Sequence, residues 1–148
     1  MPRSHALRKG RYSRANLIYV VTAVCADRKP LFNSFTNARA LINSLRQAEA
    51  SAKTLCFVVM PDHLHWMLQL KEGAQLSATV RFVKARTSRI LQSRWPGAGT
   101  VWQRGFHDHA VRSDEDLKVL ARYIVANPVR AGLARSAAGY SHWDCIWI

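Results

Sequence analysis

The sequence predicts an α+β fold of the ferredoxin-like, split βαβ type: one antiparallel sheet with helices on one face, plus an extra C-terminal helix. Two observations support this prediction. The predicted elements follow one another as strand, helix, strand, strand, helix, strand and helix. Only Pro61-Asp62, a turn signal, joins the second and third strands, so these two form an antiparallel hairpin. The 148 residues suffice for one domain with its own core.

The first four elements are assigned from apolar runs and their periodicity. Residues 17–26 form an apolar, β-branched run that is typical of a buried strand. In residues 37–52, leucines and alanines recur at helical spacing, which predicts a helix. Residues 54–60 and 63–70 are apolar runs on either side of the turn, and they predict the two strands of the hairpin.

The second half of the chain predicts two more helices and one more strand. An amphipathic helix is expected over 77–94, with apolar residues on one side and basic residues on the other. Residues 101–111 predict one extended segment. Ser113 is a good N-cap for the last helix. This helix is expected to end near Ala126, because Pro128 disfavours helical geometry in the residue before it.

The charge of the chain indicates the chemistry of its partner. Lys and Arg total 22 against 9 acidic residues, which gives a net charge of +13 and an isoelectric point near 10.7. Such an excess attracts polyanions through counterion release, so we expect a nucleic acid partner. A basic membrane-surface helix needs a broad apolar face beside its charge. Here the basic residues are spread over several segments, and no membrane partner is expected.

We expect a single domain over 1–148, with a basic arm at 1–16 and a C-terminal tail at 129–148. The arm and the apolar run after it mimic a secretory signal. Cleavage of that signal would delete a predicted core strand, so we do not expect the protein to be exported. The three cysteines are far apart, which argues against a disulfide framework or a cysteine zinc site. No apolar stretch reaches the ~18 residues of a membrane span. These features predict a cytoplasmic protein.

Two histidine pairs are candidate metal ligands. His63 and His65 lie two apart on a predicted strand, so both side chains leave the same face of the sheet. They could hold one metal ion, or they could be the polar residues of a half-buried strand. Histidine in a central strand is costly without a partner, which favours the metal. His107 and His109 repeat this spacing, and the spacing alone does not rank the two pairs.

Tyr123 lies on the last predicted helix, at the edge of its apolar stripe. It could be a boundary tyrosine with a buried ring and a solvated hydroxyl, or a nucleophile. Asn127 is four residues further on and, if the helix persists, sits one turn above Tyr123. There is no phosphate-binding glycine loop and no zinc-protease motif.

With these residues in view, almost the whole chain resembles the REP-associated tyrosine transposases, relatives of the transposases of the smallest bacterial insertion sequences. VVMPDHLHWMLQL resembles the metal-binding strand of this single-tyrosine HUH family. VWQRGFHDHAVRSDEDLKVLARYIVANPVRAGL resembles the family's most characteristic block. FVKARTSRI and GYSHWDCIWI also match. One departure is Val20, which stands where a histidine is often found and puts a role of the first strand in substrate binding in doubt.

The resemblance implies a site and a reaction. Tyr123 falls at the nucleophile position, His63 and His65 at the two histidine ligands, and Asn127 at a third metal ligand. The implied reaction is cleavage and rejoining of single-stranded DNA through a covalent 5′-phosphotyrosine. The implied cofactor is a divalent metal, Mg²⁺ or Mn²⁺. Nitrogen and amide ligands suit Mn²⁺ better, while Mg²⁺ is expected in the cell.

The implied partner is single-stranded or hairpin DNA, with repetitive extragenic palindromes as the target. The resemblance leaves His107 and His109 for DNA contact or support. The other expected DNA contacts are basic side chains: Arg3, Arg8, Lys9, Arg11, Arg14, Arg81, Lys84 and Arg104. Two rival functions stay open: a non-catalytic nucleic-acid binder on the same fold, and a metal phosphodiesterase that uses water as nucleophile. The sequence also leaves open whether the protein is a monomer or a dimer.

Overall fold

The structure, a computed structural model, describes residues 17–112 and 115–148. The strands are β1 (Ile18–Val24), β2 (Ala52–Met60), β3 (His63–Leu70), β4 (His107–Ala110) and β5 (Trp143–Cys145). The helices are α1 (Phe35–Gln47), α2 (Leu76–Arg94), α3 (Leu117–Val125) and α4 (Asn127–Arg130). Among these residues the strands form one antiparallel sheet in the order β4-β1-β3-β2-β5. The first four strands confirm the predicted ferredoxin-like arrangement, and β5 extends it.

The main core lies between the sheet and the two helices α1 and α2. Alternate residues of each strand point into it, so that Val21 of β1 and Trp66 and Leu68 of β3 are fully buried. Leu41 of α1 and Val80 of α2 meet them from the helical layer. The buried indole of Trp66 donates from Nε1 to Thr54 Oγ1 at 2.9 Å, so its one polar atom is satisfied.

Helix α3 packs on the opposite face of the sheet and forms a second, smaller core there. Ala121, Ile124 and Val125 of α3 contact Val58 of β2 and Met67 of β3. Asp116 caps the helix N-terminus, since its carboxylate accepts from the backbone N–H groups of Lys118 and Val119. The layer order is therefore α1 and α2, then the sheet, then α3.

Several predicted boundaries differ from the structure. α1 ends at Gln47 rather than at residue 52, because 48–51 turn into β2. The expected extended segment at 101–111 is a strand only over His107–Ala110. Gly105, at φ +72°, interrupts it. The predicted N-cap Ser113 lies outside the described residues, and α3 begins only after Asp116.

Residues 129–148, predicted as a tail, join the fold. They complete α4 and contribute β5. This strand pairs antiparallel with β2, so that the backbone of Cys145 lies opposite that of Cys56. The phenol of Tyr140 donates to the carbonyl of Val59 at 2.7 Å. All three cysteines are buried and unbridged.

Among the residues that the structure describes, no helix is long and apolar enough to cross a membrane.

The bond between Tyr140 and Val59 gives a test of how the C-terminal segment docks. Replacing Tyr140 with Phe leaves one buried carbonyl without its donor, and we expect the free energy of unfolding to fall by about 1 kcal/mol. Tyr123→Phe is the matched control, since its ring is 64% exposed, and its effect should stay within about 0.5 kcal/mol. Urea denaturation measures both. Equal values for the two variants would contradict the docked arrangement.

Candidate active site

The strand register places both histidine pairs on one face of the sheet, the face that α3 covers. His63, His65 and Met67 alternate with core residues along β3, and Met67 contacts α3. Across the sheet, His65 pairs with Thr22 of β1, and Thr22 pairs with His107 of β4. Residues paired directly across antiparallel strands share a face. Since adjacent strands lie about 4.8 Å apart, His107 is roughly 10 Å from His65.

His63 and His65 turn their Nε2 atoms toward each other. These two atoms are 3.1 Å apart, and the ring planes are nearly perpendicular. The outer nitrogen of each ring has its own partner. His63 Nδ1 lies 2.7 Å from the Asp62 carboxylate, and His65 Nδ1 lies 2.9 Å from the Thr22 hydroxyl. Hydrogen bonds to the outer nitrogen fix ring orientation and tautomer, as they do around metal-binding histidines.

This arrangement favours a neutral His65. Burial, the neighbouring His63 and the positive charge of Arg130 lower the pKa of His65 to about 4. A carboxylate can only accept, so Asp62 receives the Nδ1 proton of His63. A neutral imidazole lone pair is what a metal ion binds.

The pair fits a divalent metal ion in its donor atoms and in its supporting hydrogen bonds. Two Nε2 atoms converge and both outer nitrogens are held. Within the described residues, however, no group of three His, Cys, Asp or Glu side chains could hold a metal ion. An amide, water or phosphate oxygen is the kind of further ligand that such a pair could share a metal ion with.

Asn127, the predicted third ligand, is at the start of α4, directly after the end of α3. Its Nδ2 donates to the carbonyl of Ile124 at 2.9 Å, which orients the side-chain amide. The amide is half-buried. An amide binds a metal through Oδ1, and the anchored nitrogen leaves that oxygen for a ligand. The role of Asn127 stays a prediction.

Tyr123 projects from α3 into solvent. Its side chain is 64% exposed, so the boundary arrangement with a buried ring does not hold. The guanidinium carbon of Arg130 lies 3.7 Å from the centre of the Tyr123 ring. Arg130 is also the residue whose charge acts on His65. The sequence did not single out Arg130.

The remaining predicted DNA contacts are dispersed. Arg104 is exposed in the loop before β4, and Arg81 is exposed on α2, in the layer opposite the histidines. Lys84 has a structural role, since its ammonium donates to the carbonyls of Gln103 and Gly105. The five basic side chains predicted in the N-terminal arm lie outside the described residues: Arg3, Arg8, Lys9, Arg11 and Arg14.

His107 and His109 are exposed on β4. His109 Nε2 lies 3.0 Å from a carboxylate oxygen of Glu115, which holds the segment before α3 against the sheet edge. The structure thus separates the two pairs that the spacing could not rank. In the pair His63 and His65 the imidazoles face each other, and the outer nitrogen of each ring is hydrogen-bonded. In the other pair, His109 lies within hydrogen-bond distance of the Glu115 carboxylate.

The supporting residues Asp62 and Thr22 were also missed. Asp62 directly precedes His63, so its proximity was visible in the sequence, although it was assigned only to the turn. Thr22 reaches His65 through strand pairing 43 residues apart. No local signal marks such a contact. Arg130 lies seven residues after Tyr123, two helical turns, but Pro128 between them obscured the spacing.

The comparisons with known proteins agree with this fold. The model of the family "Transposase IS200 like" matches residues 13–127, which is most of the chain. The chain belongs to the IS200-like transposases. Within this family the transposase resembles the REP-associated tyrosine transposases, and the resemblance noted in the sequence is confirmed.

Two curated relatives carry that description. An Escherichia coli K12 protein, a REP-associated tyrosine transposase, is 29% identical over 85 residues, covering 57% of this chain and 48% of its own. A Haemophilus influenzae protein with a provisional assignment of the same kind is 28% identical over 132 residues. That match covers 78% of this chain and 72% of the relative.

Two solved structures share the fold. A REP-associated tyrosine transposase bound to a REP hairpin matches with a TM-score of 0.70 and 24% identity, over 90% of this chain and 78% of that one. A provisionally assigned transposase from Deinococcus radiodurans matches with a TM-score of 0.56 and 19% identity, over 80% and 95% of the two chains.

The low pKa of His65 predicts how stability depends on pH. Between about pH 6.5 and pH 4 the folded protein keeps His65 neutral while the unfolded chain protonates it, so the unfolded state binds more protons. The free energy of unfolding therefore falls as the pH drops through this range. The fall should reach up to about 3 kcal/mol, since a tenfold change in proton affinity corresponds to about 1.4 kcal/mol.

Urea denaturation at several pH values, with EDTA to remove metal, measures the slope of the free energy of unfolding against pH. His65→Gln should flatten it, and His107→Gln, an exposed neighbour in the same row of the sheet, should leave it unchanged. Some slope will remain in either variant because burial also lowers the pKa of His142. A slope that His65→Gln leaves intact would contradict the assignment.

Proposed function

We propose that this IS200-like transposase cuts and rejoins single-stranded DNA with Tyr123 as nucleophile. The phenol oxygen attacks a DNA phosphorus, the bond from phosphorus to the 3′ oxygen breaks, and the downstream strand becomes attached to the protein through its 5′ phosphate. The 3′ end departs as a free hydroxyl, which can attack the phosphotyrosine to reverse the step. Two easier displacements thereby replace one difficult one, and the phosphodiester energy is retained for rejoining.

The observation that carries this proposal is an exposed tyrosine on the same side of the sheet as a pair of histidines whose outer nitrogens are hydrogen-bonded. Tyr123 and the pair are on the same side of the sheet, and Arg130 contacts the ring of one and acts on the charge of the other. A buried tyrosine, or one in the opposite layer, could not serve this chemistry. A tyrosine that only packs would bury its ring, whereas Tyr123 as a residue is 64% exposed.

We assign His63, His65 and Asn127 to the binding of Mg²⁺ or Mn²⁺. A bound metal ion would neutralise phosphate oxygens and align the phosphate, which helps a nucleophile whose ordinary pKa is about 10. The protein contributes two imidazoles with fixed orientations and an anchored amide. Asp62 and Thr22 keep the two rings directed at one point.

The proposed substrate is hairpin DNA with single-stranded flanks. The net charge of +13 favours a polyanion, and the relative that shares the fold was solved with a REP hairpin. An unpaired strand can bend its phosphate into an exposed site, whereas a duplex is stiff. We place the activity in the cytoplasm, where bacterial DNA is found.

A binding protein without catalysis is less well supported. Sheet-based nucleic-acid binders stack bases on exposed aromatic side chains of the sheet. The aromatic residues of the inner strands, Tyr19, Phe57 and Trp66, are all buried against the helical layer. Nucleic-acid binding without catalysis also does not require two histidines whose outer nitrogens are hydrogen-bonded.

The nucleophile is tested by adduct formation. The protein would be incubated with Mn²⁺ and 3′-labelled oligonucleotides that carry hairpins repeated in the source genome. We expect a labelled protein band on a denaturing gel for the native protein and none for Tyr123→Phe, which keeps the ring but lacks the attacking oxygen. Cleavage by Tyr123→Phe without an adduct would instead identify a phosphodiesterase that uses water.

The metal ligands are tested by Mn²⁺ binding, which needs no DNA. His63→Ala and His65→Ala should each weaken Mn²⁺ affinity at least tenfold in titration calorimetry, because one of few protein ligands is lost. The matched control is the double variant His107→Ala, His109→Ala, which removes the same chemistry from the same face and should bind Mn²⁺ as the native protein does. Equal losses for both pairs would contradict the assignment.

A further inference from the structure

Arg130 stacks on the proposed nucleophile. Its guanidinium carbon lies 3.7 Å from the centre of the Tyr123 ring, within the range of a cation–π contact. Both side chains are exposed. A stacked guanidinium uses its flat face for the ring and leaves its N–H groups, which lie in the plane, free to donate outward.

The backbone fixes Arg130 in this position. Ala126 ends α3 and also begins α4, so the two helices are joined without a loop. Pro128, buried in the first turn of α4, restricts the backbone there. The Arg130 N–H donates to the Ala126 carbonyl at 3.0 Å, and Gly132, at φ +76°, ends the helix. Arg130 therefore returns toward Tyr123 because of the chain path.

Packing does not explain why an arginine stands here. Arg130 is exposed, and no carboxylate forms an ion pair with it in the described part of the chain. An exposed arginine that stacks on a tyrosine and pairs with no carboxylate in the described part of the chain is suited to bind an anion beside the phenol.

We propose that Arg130 is a catalytic residue that binds the non-bridging oxygens of the scissile phosphate while its guanidinium plane holds the Tyr123 ring. This inference rests on the proposed function and adds a residue to it. A planar guanidinium donates two parallel hydrogen bonds to a phosphate, which lysine cannot do.

Arg130 acts on the negative charge of the phosphate at each stage of the proposed reaction. As the phenol oxygen bonds to phosphorus and the bond to the 3′ oxygen breaks, negative charge spreads over the non-bridging oxygens, and Arg130 stabilises it. The phenol proton is released to water, and the departing 3′ oxygen takes up a proton. In the phosphotyrosine diester the same two oxygens remain beside Arg130. The reverse attack therefore uses the same contact.

The anion site is tested first without DNA. In a ¹⁵N NMR spectrum the Nε–Hε signal of Arg130 is identified by its loss in Arg130→Lys. We expect this signal to shift to high field because of the Tyr123 ring, and to move further on titration with inorganic phosphate. The matched control is Arg122, an exposed arginine next to Tyr123 in sequence, whose signal should not move. An Arg130 signal that phosphate leaves unmoved overturns the proposal.

The catalytic role is tested by single-turnover cleavage of the hairpin oligonucleotide that forms the adduct. Arg130→Ala should slow cleavage about 100-fold or more, as removal of one donor to a transition-state oxyanion does. Arg122→Ala should leave the rate unchanged. Arg130→Lys should recover part of the rate, and ethylguanidinium added to Arg130→Ala should recover more. An unaltered urea denaturation curve shows that each variant folds.

A neutral substrate distinguishes charge stabilisation from positioning. In a methylphosphonate at the scissile position a methyl group replaces one charged oxygen, so there is little charge to neutralise. If Arg130 acts on that charge, the loss in Arg130→Ala should shrink from about 100-fold to less than about tenfold on this substrate. The same loss on both substrates would mean that Arg130 only positions the tyrosine, and the proposal would be wrong.

These outcomes separate the inference from the function on which it rests. If the native protein forms the Tyr123 adduct and Arg130→Ala cleaves at the native rate, the function stands and the role of Arg130 is overturned. If no hairpin gives an adduct while phosphate moves the Arg130 signal as expected, the anion site is supported and the proposed reaction fails.

Discussion

The register of β3 between β1 and β2 is the constraint on which the candidate site depends. Side chains alternate between faces along a strand, so a shift by one residue would exchange Trp66 for His65 in the main core. The shift would bury an imidazole among aliphatic residues and expose an indole. Because Trp66 is fully buried and its indole nitrogen is bonded to Thr54, the register is fixed from the core side. The histidine pair on the other face is positioned as a result.

A second constraint is the partial burial of the histidines beneath α3. Burial disfavours the charged imidazolium, and for His65 this is the largest cause of its low pKa. The same burial would be unfavourable without hydrogen bonds, which Thr22 and Asp62 provide. The low pKa of His65 and the fixed orientation of both rings are therefore products of the fold.

Much of the fold was predictable because it follows from local patterns. The hairpin around Pro61-Asp62, the apolar strands and the amphipathic α2 each have a periodicity that sets which face is buried. The short strand β5 could not be predicted, since Trp143–Cys145 has no alternation long enough to identify and is fixed by pairing with β2. The start of α3 was misplaced because several residues ahead of it are good caps, and only packing selects Asp116.

The sequence by itself determined the family, the order of strands and helices, and the residue types available for chemistry: paired histidines, a tyrosine, an asparagine and an excess of positive charge. These properties depend on the identity of the residues and on their spacing over short stretches of the sequence. Only the tertiary structure decided which histidine pair is supported and that Arg130 covers Tyr123. The physical reason is that the residues in contact are far apart in sequence or separated by a turn. Thr22 meets His65 across 43 residues, and Arg130 meets Tyr123 through a turn around a proline, so backbone geometry creates contacts that spacing does not specify.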